Sequence, residues 1–413
     1  MKEIQPPRTI IIGAGIAGLA CATRLYKAGH RLTIFEAADA AGGRVRTDEV
    51  DGFLLDHGFQ VYLSAYPEAG KLLDLDALRL RNFRAGALIR RSGKRYRLMD
   101  VFRHPGSVFS SAIAPIGTLR DKLLVAKLRS QIKRESMSKL AAAREDTSTE
   151  QRLQEFGFSK EMIDGFFRGF YGGIFLEREL RTSSRMFDFI FKMFATGHAT
   201  VPALGMGEIP KQLLAALPRE SVHLNRTVAS ISDRRVVLEG GQAQEADHIV
   251  IATDASTAAE LLPGWAPANE TRWRSPATLY FSAAKTPLNE ATIVLDGDGR
   301  SLINNACVIS DVAPHYAPPG RALVSVSVLG KPDEPDLEGA VQQELQYWFG
   351  EEASGWQHLR TYRIDKALPE QLPNATPPAT RHGNIHVCGD YCTSASIEGA
   401  ITSGLRAADA ICQ

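Results

Sequence analysis

The chain has 413 residues, too many for one hydrophobic core, so two or three packed units are expected. Apolar residues make up 44% and charged residues 23%, the balance of a soluble globular protein. A formal net charge of +1 excludes the global basic field of a nucleic-acid binder. The five cysteines, Cys21, Cys307, Cys388, Cys392 and Cys412, contain no Cys-x-x-Cys pair. Their odd number fits a reducing compartment better than a disulfide framework. Lys2 and Arg8 precede an apolar stretch from Thr9 to Ala22 that imitates a secretory signal, but Gly13, Ala14, Gly15 and Ala17 interrupt it. No uninterrupted apolar run reaches the roughly 18–20 residues of a membrane span, so the expected location is cytoplasmic.

Thr9-Ile-Ile-Ile12 is a β-branched run suited to a central parallel strand buried on both faces. Gly13-Ala-Gly-Ile-Ala-Gly18 follows at once, and a helical pattern through Leu19, Ala22, Leu25 and Tyr26 stops at Gly29. Arg31–Phe35 is the second strand, with Glu36 at its carboxyl end. In such a βαβ unit Gly13 makes the tight turn, Gly15 admits a pyrophosphate to the backbone, and Gly18 lets helix and strand pack closely. The helix N-terminus offers free N–H groups to phosphates, and Glu36 is placed to accept hydrogen bonds from ribose hydroxyls. A dinucleotide site follows, in preference to a glycine turn that binds nothing. The fingerprint alone leaves NAD and FAD both open.

Ala41-Gly-Gly-Arg-Val-Arg-Thr47 brings a second pair of glycines, and Arg44 offers a guanidinium to phosphate or flavin oxygens. Gly58, within Asp56-His-Gly-Phe-Gln60, allows another close backbone approach. Residues 66–204 read as largely helical. Within them Phe166, Phe167, Phe170, Tyr171 and Phe175 read first as plain core, with a cavity wall as the alternative. Two basic stretches, Arg79–Arg97 and Arg120–Arg134, read as solvated faces ahead of contact with anionic lipid or an acidic partner.

Val222–Asn225, Thr227–Ile231 and Arg235–Leu238 read as a three-stranded meander, with His248–Thr253 as a returning strand. Antiparallel candidates follow at Ala277–Ala283, Ala291–Leu295, Asn305–Ser310 and Ala322–Val328, then a helix at Leu337–Phe349 and a strand at Arg360–Ile364. Asn384–Cys388 is a final strand leading into Gly389-Asp390, and a small-residue helix follows Ile397-Glu-Gly-Ala400. His382 and His386 are four apart, but Gly383 and the strand after it spoil a metal site.

The glycine fingerprint, Gly42-Gly43-Arg44 and the closing Gly-Asp with Ile-Glu-Gly-Ala together resemble the flavin-containing amine oxidoreductase superfamily, which spans monoamine oxidases, protoporphyrinogen oxidases and phytoene-desaturase-like enzymes. That resemblance implies FAD, and no cysteine stands just before Ala367-Leu-Pro369, where monoamine oxidases attach theirs, so non-covalent binding is expected. The resemblance implies an α/β fold: a Rossmann FAD domain of the two-dinucleotide-binding type with an inserted α+β substrate domain, an antiparallel sheet plus helices. The FAD domain would be assembled from 1–65, 205–265 and 375–413, and the substrate domain from 66–204 and 266–374. The cofactor contacts it implies are Gly13, Gly15, Ile16, Ala17, Gly18, Glu36, Ala37, Gly42, Gly43, Arg44, Gly58, Phe59, Val228, Gly389, Asp390, Ile397 and Ala400. Asp390 would hold ribityl or phosphate hydroxyls, Val228 the adenine, and the last helix would point at the flavin pyrimidine. Met206 is placed near the substrate.

The lysine that amine oxidases carry near flavin N5 has no match, since Lys285 stands at the far end of its strand, and Ser396 occupies a position of their aromatic cage. Ala367-Leu-Pro369 instead resembles a turn of protoporphyrinogen oxidases and carotenoid desaturases. The expected reaction is hydride removal from an apolar or conjugated small molecule, with oxygen or a quinone as acceptor. A flavin amine oxidase is the alternative, and a flavin-binding protein without net redox turnover is the alternative of another class.

Overall fold

The computed structural model describes residues 6–142, 144–265 and 271–413, so Lys2 and the first residues of 266–374 lie outside it. Thr9–Ile12 is buried throughout, as a strand covered on both faces must be, and it lies at the centre of a six-stranded sheet. Five strands run parallel in the order Val222–His223, Arg31–Phe35, Arg8–Ile12, His248–Ile251 and Ile385–Val387. Arg381–His382 closes the sheet antiparallel. The expected meander is rearranged. Val222–His223 pairs with Arg31–Phe35 instead, and the meander is Val228–Ser232, Arg235–Leu238 and Ala243–Glu245. The chain can change sheets there because Asn225 takes a left-handed φ of 54°.

A seven-stranded sheet lies beyond, ordered Gln357–Arg363, Pro276–Ala283, Ala322–Leu329, Ile303–Val308, Ile293–Asp296, Gly86–Arg91 and Lys94–Met99. The last two come from the first insertion, which is otherwise largely helical as expected, and they absorb much of its first basic stretch. Lys94–Met99 is an edge strand with mostly exposed or half-exposed side chains, so its charges meet water and blunt the free edge. Arg90 is the exception: it is buried and stacks on Tyr347 at 3.7 Å. Helix Arg168–Phe175 packs on this sheet at Ile293–Asp296 and Ile303–Val308, and helices Leu119–Arg134 and Ser184–Thr196 pack against each other.

The first helix, Ile16–Lys27, and the last, Ile397–Cys412, lie in close contact although almost the whole chain separates them. A Cβ on Gly404 would stand 2.1 Å from the Ala17 carbonyl oxygen and 3.0 Å from the Cys21 nitrogen. One on Gly18 would stand 2.1 Å from the Gly13 oxygen. Glycine is therefore required at both positions, and both helices start beside the carboxyl ends of the parallel strands, where open α/β sheets bind ligands. Gly404→Ala should lower stability by about 1–3 kcal/mol, read as a lower urea midpoint with an unchanged slope, because the helices cannot part without opening the core. An unchanged midpoint would show that they can.

Candidate active site

A cavity of about 980 Å³ runs from the fingerprint glycines to the helical layer. Sixteen of the seventeen expected contacts line it: Gly13, Gly15, Ile16, Ala17, Glu36, Ala37, Gly42, Gly43, Arg44, Gly58, Phe59, Val228, Gly389, Asp390, Ile397 and Ala400. Gly18 does not, since it is consumed by helix packing. Residues from the two ends of the chain thus meet in one space.

At the fingerprint end the wall is bare backbone. The Gly13 N–H donates to the Phe35 oxygen (2.7 Å), and its φ of 101° suits glycine. A Cβ on Gly15 would meet nothing within 4 Å, so its glycine leaves room for a ligand rather than for protein. The helix that starts there has no side-chain cap and no acid in its first turn, and its leading N–H groups stay open to an anion. The second glycine pair abuts the first: Gly42 N–H donates to the Ala14 oxygen (2.9 Å), and a Cβ on Gly43 would lie 3.4 Å from the Gly15 Cα. These features fit a pyrophosphate. Glu36 accepts from the Ala14 N–H (2.7 Å) and the Ala38 N–H (2.9 Å), which fixes its carboxylate and leaves further lone pairs for hydroxyls.

Arg44 and Asp390 are expected to address the ligand separately, but they also hold each other. Arg44 Nη1 and Nη2 donate to the two Asp390 oxygens (2.9 and 2.7 Å), and Nη1 donates to the Ala367 oxygen (2.8 Å). Burial opposes the charge on Arg44, yet the adjacent carboxylate holds its pKa above the ordinary arginine value. This two-pronged ion pair joins the glycine loop to the closing loop.

Between the two ends lies a group of side chains that spacing does not disclose. Asp56 is buried and accepts from Thr47 Oγ1 (2.5 Å), the Met206 N–H (2.9 Å) and Tyr316 Oη (2.7 Å). Met206 is thereby corrected: it is fully buried, outside the cavity, and contributes a backbone donor. His57 lines the cavity, with Nε2 at 3.0 Å from Asp48, whose other oxygen accepts from Tyr362 Oη (2.8 Å). Thr278 Oγ1 faces the same region, buried and without a partner.

The far wall is aromatic. Phe166, Phe167, Phe170 and Tyr171 line the cavity, joined by Phe191 and Phe194, whereas Phe175 sits outside it, against Tyr171 (5.6 Å between ring centres). A π-helical turn at Ile163–Phe167 sets this ring sequence, and helical periodicity alone could not predict it. Lys285 is exposed, pairs with Glu352 at 3.8 Å and does not line the cavity. Cys388 and Cys392 are buried, and burial pushes both thiols well up, so they are inert at neutral pH.

The site and the fold define a class, a mixed α/β protein with one large cavity; its seven-stranded sheet is antiparallel except where Ile293–Asp296 pairs parallel with Gly86–Arg91, which corrects the expected all-antiparallel sheet. The sequence profile of the flavin containing amine oxidoreductases matches residues 16–412, and the chain belongs to that family. It is thereby grouped with flavin-dependent oxidoreductases. Among curated relatives it is similar to protoporphyrinogen oxidase 2, chloroplastic/mitochondrial, of Arabidopsis thaliana: 29% identity over 42% of this chain and 33% of that one. It is also similar to 4,4'-diapophytoene desaturase of Staphylococcus haemolyticus, with 42% identity over 15% of this chain and 13% of that one. The matches thus span a third or less of these relatives' lengths. Among solved structures, cyclohexylamine oxidase from Brevibacterium oxydans shares the fold, with a TM-score of 0.71 at 18% identity over 98% of this chain and 99% of that one.

Gly15→Ala should leave the melting temperature of the flavin-free protein unchanged, since its Cβ meets no protein atom, while flavin affinity by fluorescence titration falls at least about tenfold. Equal affinity would place the phosphates elsewhere. Burial pushes the Asp56 carboxyl up to about 6, against the pull of its hydrogen bonds. A carboxyl raised on folding takes up a proton, so its stabilising contribution is full below pH about 4 and is lost as pH rises to about 6. Unfolding free energy across that window should therefore fall more steeply in the wild type than in Asp56→Asn. Parallel profiles would mean that the folded carboxyl is ionised throughout.

Proposed function

We propose that this chain is an FAD-dependent oxidoreductase that removes hydride from a small apolar or conjugated molecule. In this reading FAD lies non-covalently along the cavity, on a discontinuous unit of residues 1–65, 205–265 and 375–413. The substrate enters the unit formed by 66–204 and 266–374. Flavin, when bound, supplies the hydride-accepting chemistry. The backbone at Gly13–Gly15 and Gly42–Gly43 receives the pyrophosphate, Glu36 the adenosine ribose, and Val228 the adenine. Arg44 and Asp390 orient the segment between phosphate and ring, and the N-terminus of the helix at Ile397 faces the ring pyrimidine, where its dipole favours negative charge. Oxygen or a quinone takes the electrons.

The observation that carries the substrate reading is the aromatic wall. Thirteen cavity residues between 162 and 195 include no charged side chain. Burial drives the Tyr171 hydroxyl far above its usual pKa, so the wall has no base. Such a surface excludes water and suits a neutral apolar substrate, whereas a cation entering there finds no carboxylate. The protoporphyrinogen oxidase and desaturase names among the relatives point the same way. The amine alternative draws on ring faces that can hold a cation and on the amine oxidase among the solved structures.

Mixing the flavin-loaded protein anaerobically with candidate substrates separates these readings. Loss of the flavin's visible absorbance with polyenes or porphyrinogens, and not with primary amines, is expected. Bleaching by amines alone would transfer the assignment to amine oxidation. No bleaching by either would favour a flavin protein without redox turnover.

A further inference from the structure

Ten large apolar side chains are exposed among the described residues, and six of them fall between positions 102 and 123: Phe102, Val108, Phe109, Ile113, Leu119 and Leu123. Phe109 is 75% exposed and Leu123 66%. The three segments that carry them are tied together. The Arg129 guanidinium lies over the Phe102 ring at 4.6 Å. Lys122 Nζ donates to the carbonyls of Ala112 (2.7 Å) and Ala114 (2.8 Å), which fastens helix Leu119–Arg134 to the end of helix Val108–Ile113. Phe109 and Ile113 are one turn apart, as are Leu119 and Leu123, so each pair shares a helix face. A grouped apolar surface of this kind marks an interaction site.

Charge identifies what it meets. Residues 100–135 hold seven Lys and Arg against three carboxylates. Asp121 is buried and bonded to Thr118 and Ser159, and Asp100 lies 3.6 Å from both Arg103 and Arg129. Arg120, Lys127, Lys133 and Arg134 remain exposed on the same helix as Leu119 and Leu123. Phe102, Val108, Leu119 and Leu123 also line the cavity, so the cavity reaches the surface within this patch.

We propose that this face docks the protein on an anionic phospholipid bilayer. The apolar side chains enter the interface, the basic ones lie against headgroups, and the cavity mouth opens toward lipid. No helix among the described residues is long and apolar enough to cross a membrane, so the association is peripheral. A second copy of the chain suits the face poorly. In a two-fold dimer the basic helix would meet its own equivalent and the mouth would be closed. The inference rests on the surface alone and does not depend on which substrate the cavity takes.

Flotation of the full flavin-loaded chain with phosphatidylcholine vesicles, with and without phosphatidylglycerol, tests it. The protein should float with the anionic vesicles, much less with pure phosphatidylcholine, and release as salt screens the headgroups. Phe109→Asp combined with Ile113→Asp, two residues outside the cavity, should cut bound protein at least about tenfold while melting temperature and flavin spectrum stay those of the wild type. Arg120→Glu with Lys127→Glu should abolish the preference for anionic vesicles. A wild type that stays with the unbound fraction, or an aspartate variant that floats as well as the wild type, would overturn the proposal. So would a solution dimer that the aspartate variant converts to monomer, which would assign the face to a second copy.

Discussion

The contact between the first and last helices is the constraint on which the site depends. Gly404 sits against the Ala17 carbonyl at a distance that no other residue could occupy. The C-terminal helix is thereby brought beside the fingerprint helix, with Gly404, two turns into the last helix, against the first turn of the other. The closing loop at Gly389–Asp390 then faces Gly42–Arg44, and the Arg44–Asp390 pair clasps them. A ligand filling the cavity would touch both ends of the chain, so its binding and global stability would be thermodynamically linked.

The cavity changes character along its length because different kinds of structure build its two ends. The fingerprint end is made of turns, where glycines expose N–H groups and a Gly15 Cβ would meet no protein atom. The far end is made of helices, and their rings pack edge to face and offset, giving a dry surface without charge. Asp56 joins the two. It holds Thr47, Met206 and Tyr316, so a single carboxyl ties together segments far apart in the chain. Apart from this join, the ion pairs of the cavity lie toward the loops and the mouth.

The mouth follows a different rule again. Phe102 and Leu123 are both wall and surface, which a protein that met only water would have reason to avoid. Apolar residues at an opening and cations around it form a continuous path from an amphipathic boundary to an uncharged interior.

Much of this was legible in sequence because the features are local. Gly13, Gly15 and Glu36 declare a strand–turn–helix–strand through steric needs that only glycine and a carboxylate at fixed spacing meet. The buried strand Thr9–Ile12, the alternating strand Arg235–Leu238 and the helix Leu337–Phe349 announce themselves by their residue patterns. Other features depend on residues far apart in the chain, and spacing is silent about them. The transfer of Val222–His223 to the parallel sheet, the return of Gly86–Met99 as two strands, the π-helical turn in the aromatic wall and the burial of Met206 were each decided by long-range packing. So were the mutual hold of Arg44 and Asp390 and the gathering of Phe102 to Leu123 at the cavity mouth. By itself the sequence determined a family, a glycine-rich cradle and the residues that line it. Only the tertiary structure decided which side chains meet each other there, because contact across hundreds of residues is set by how sheets and helices stack and not by local spacing.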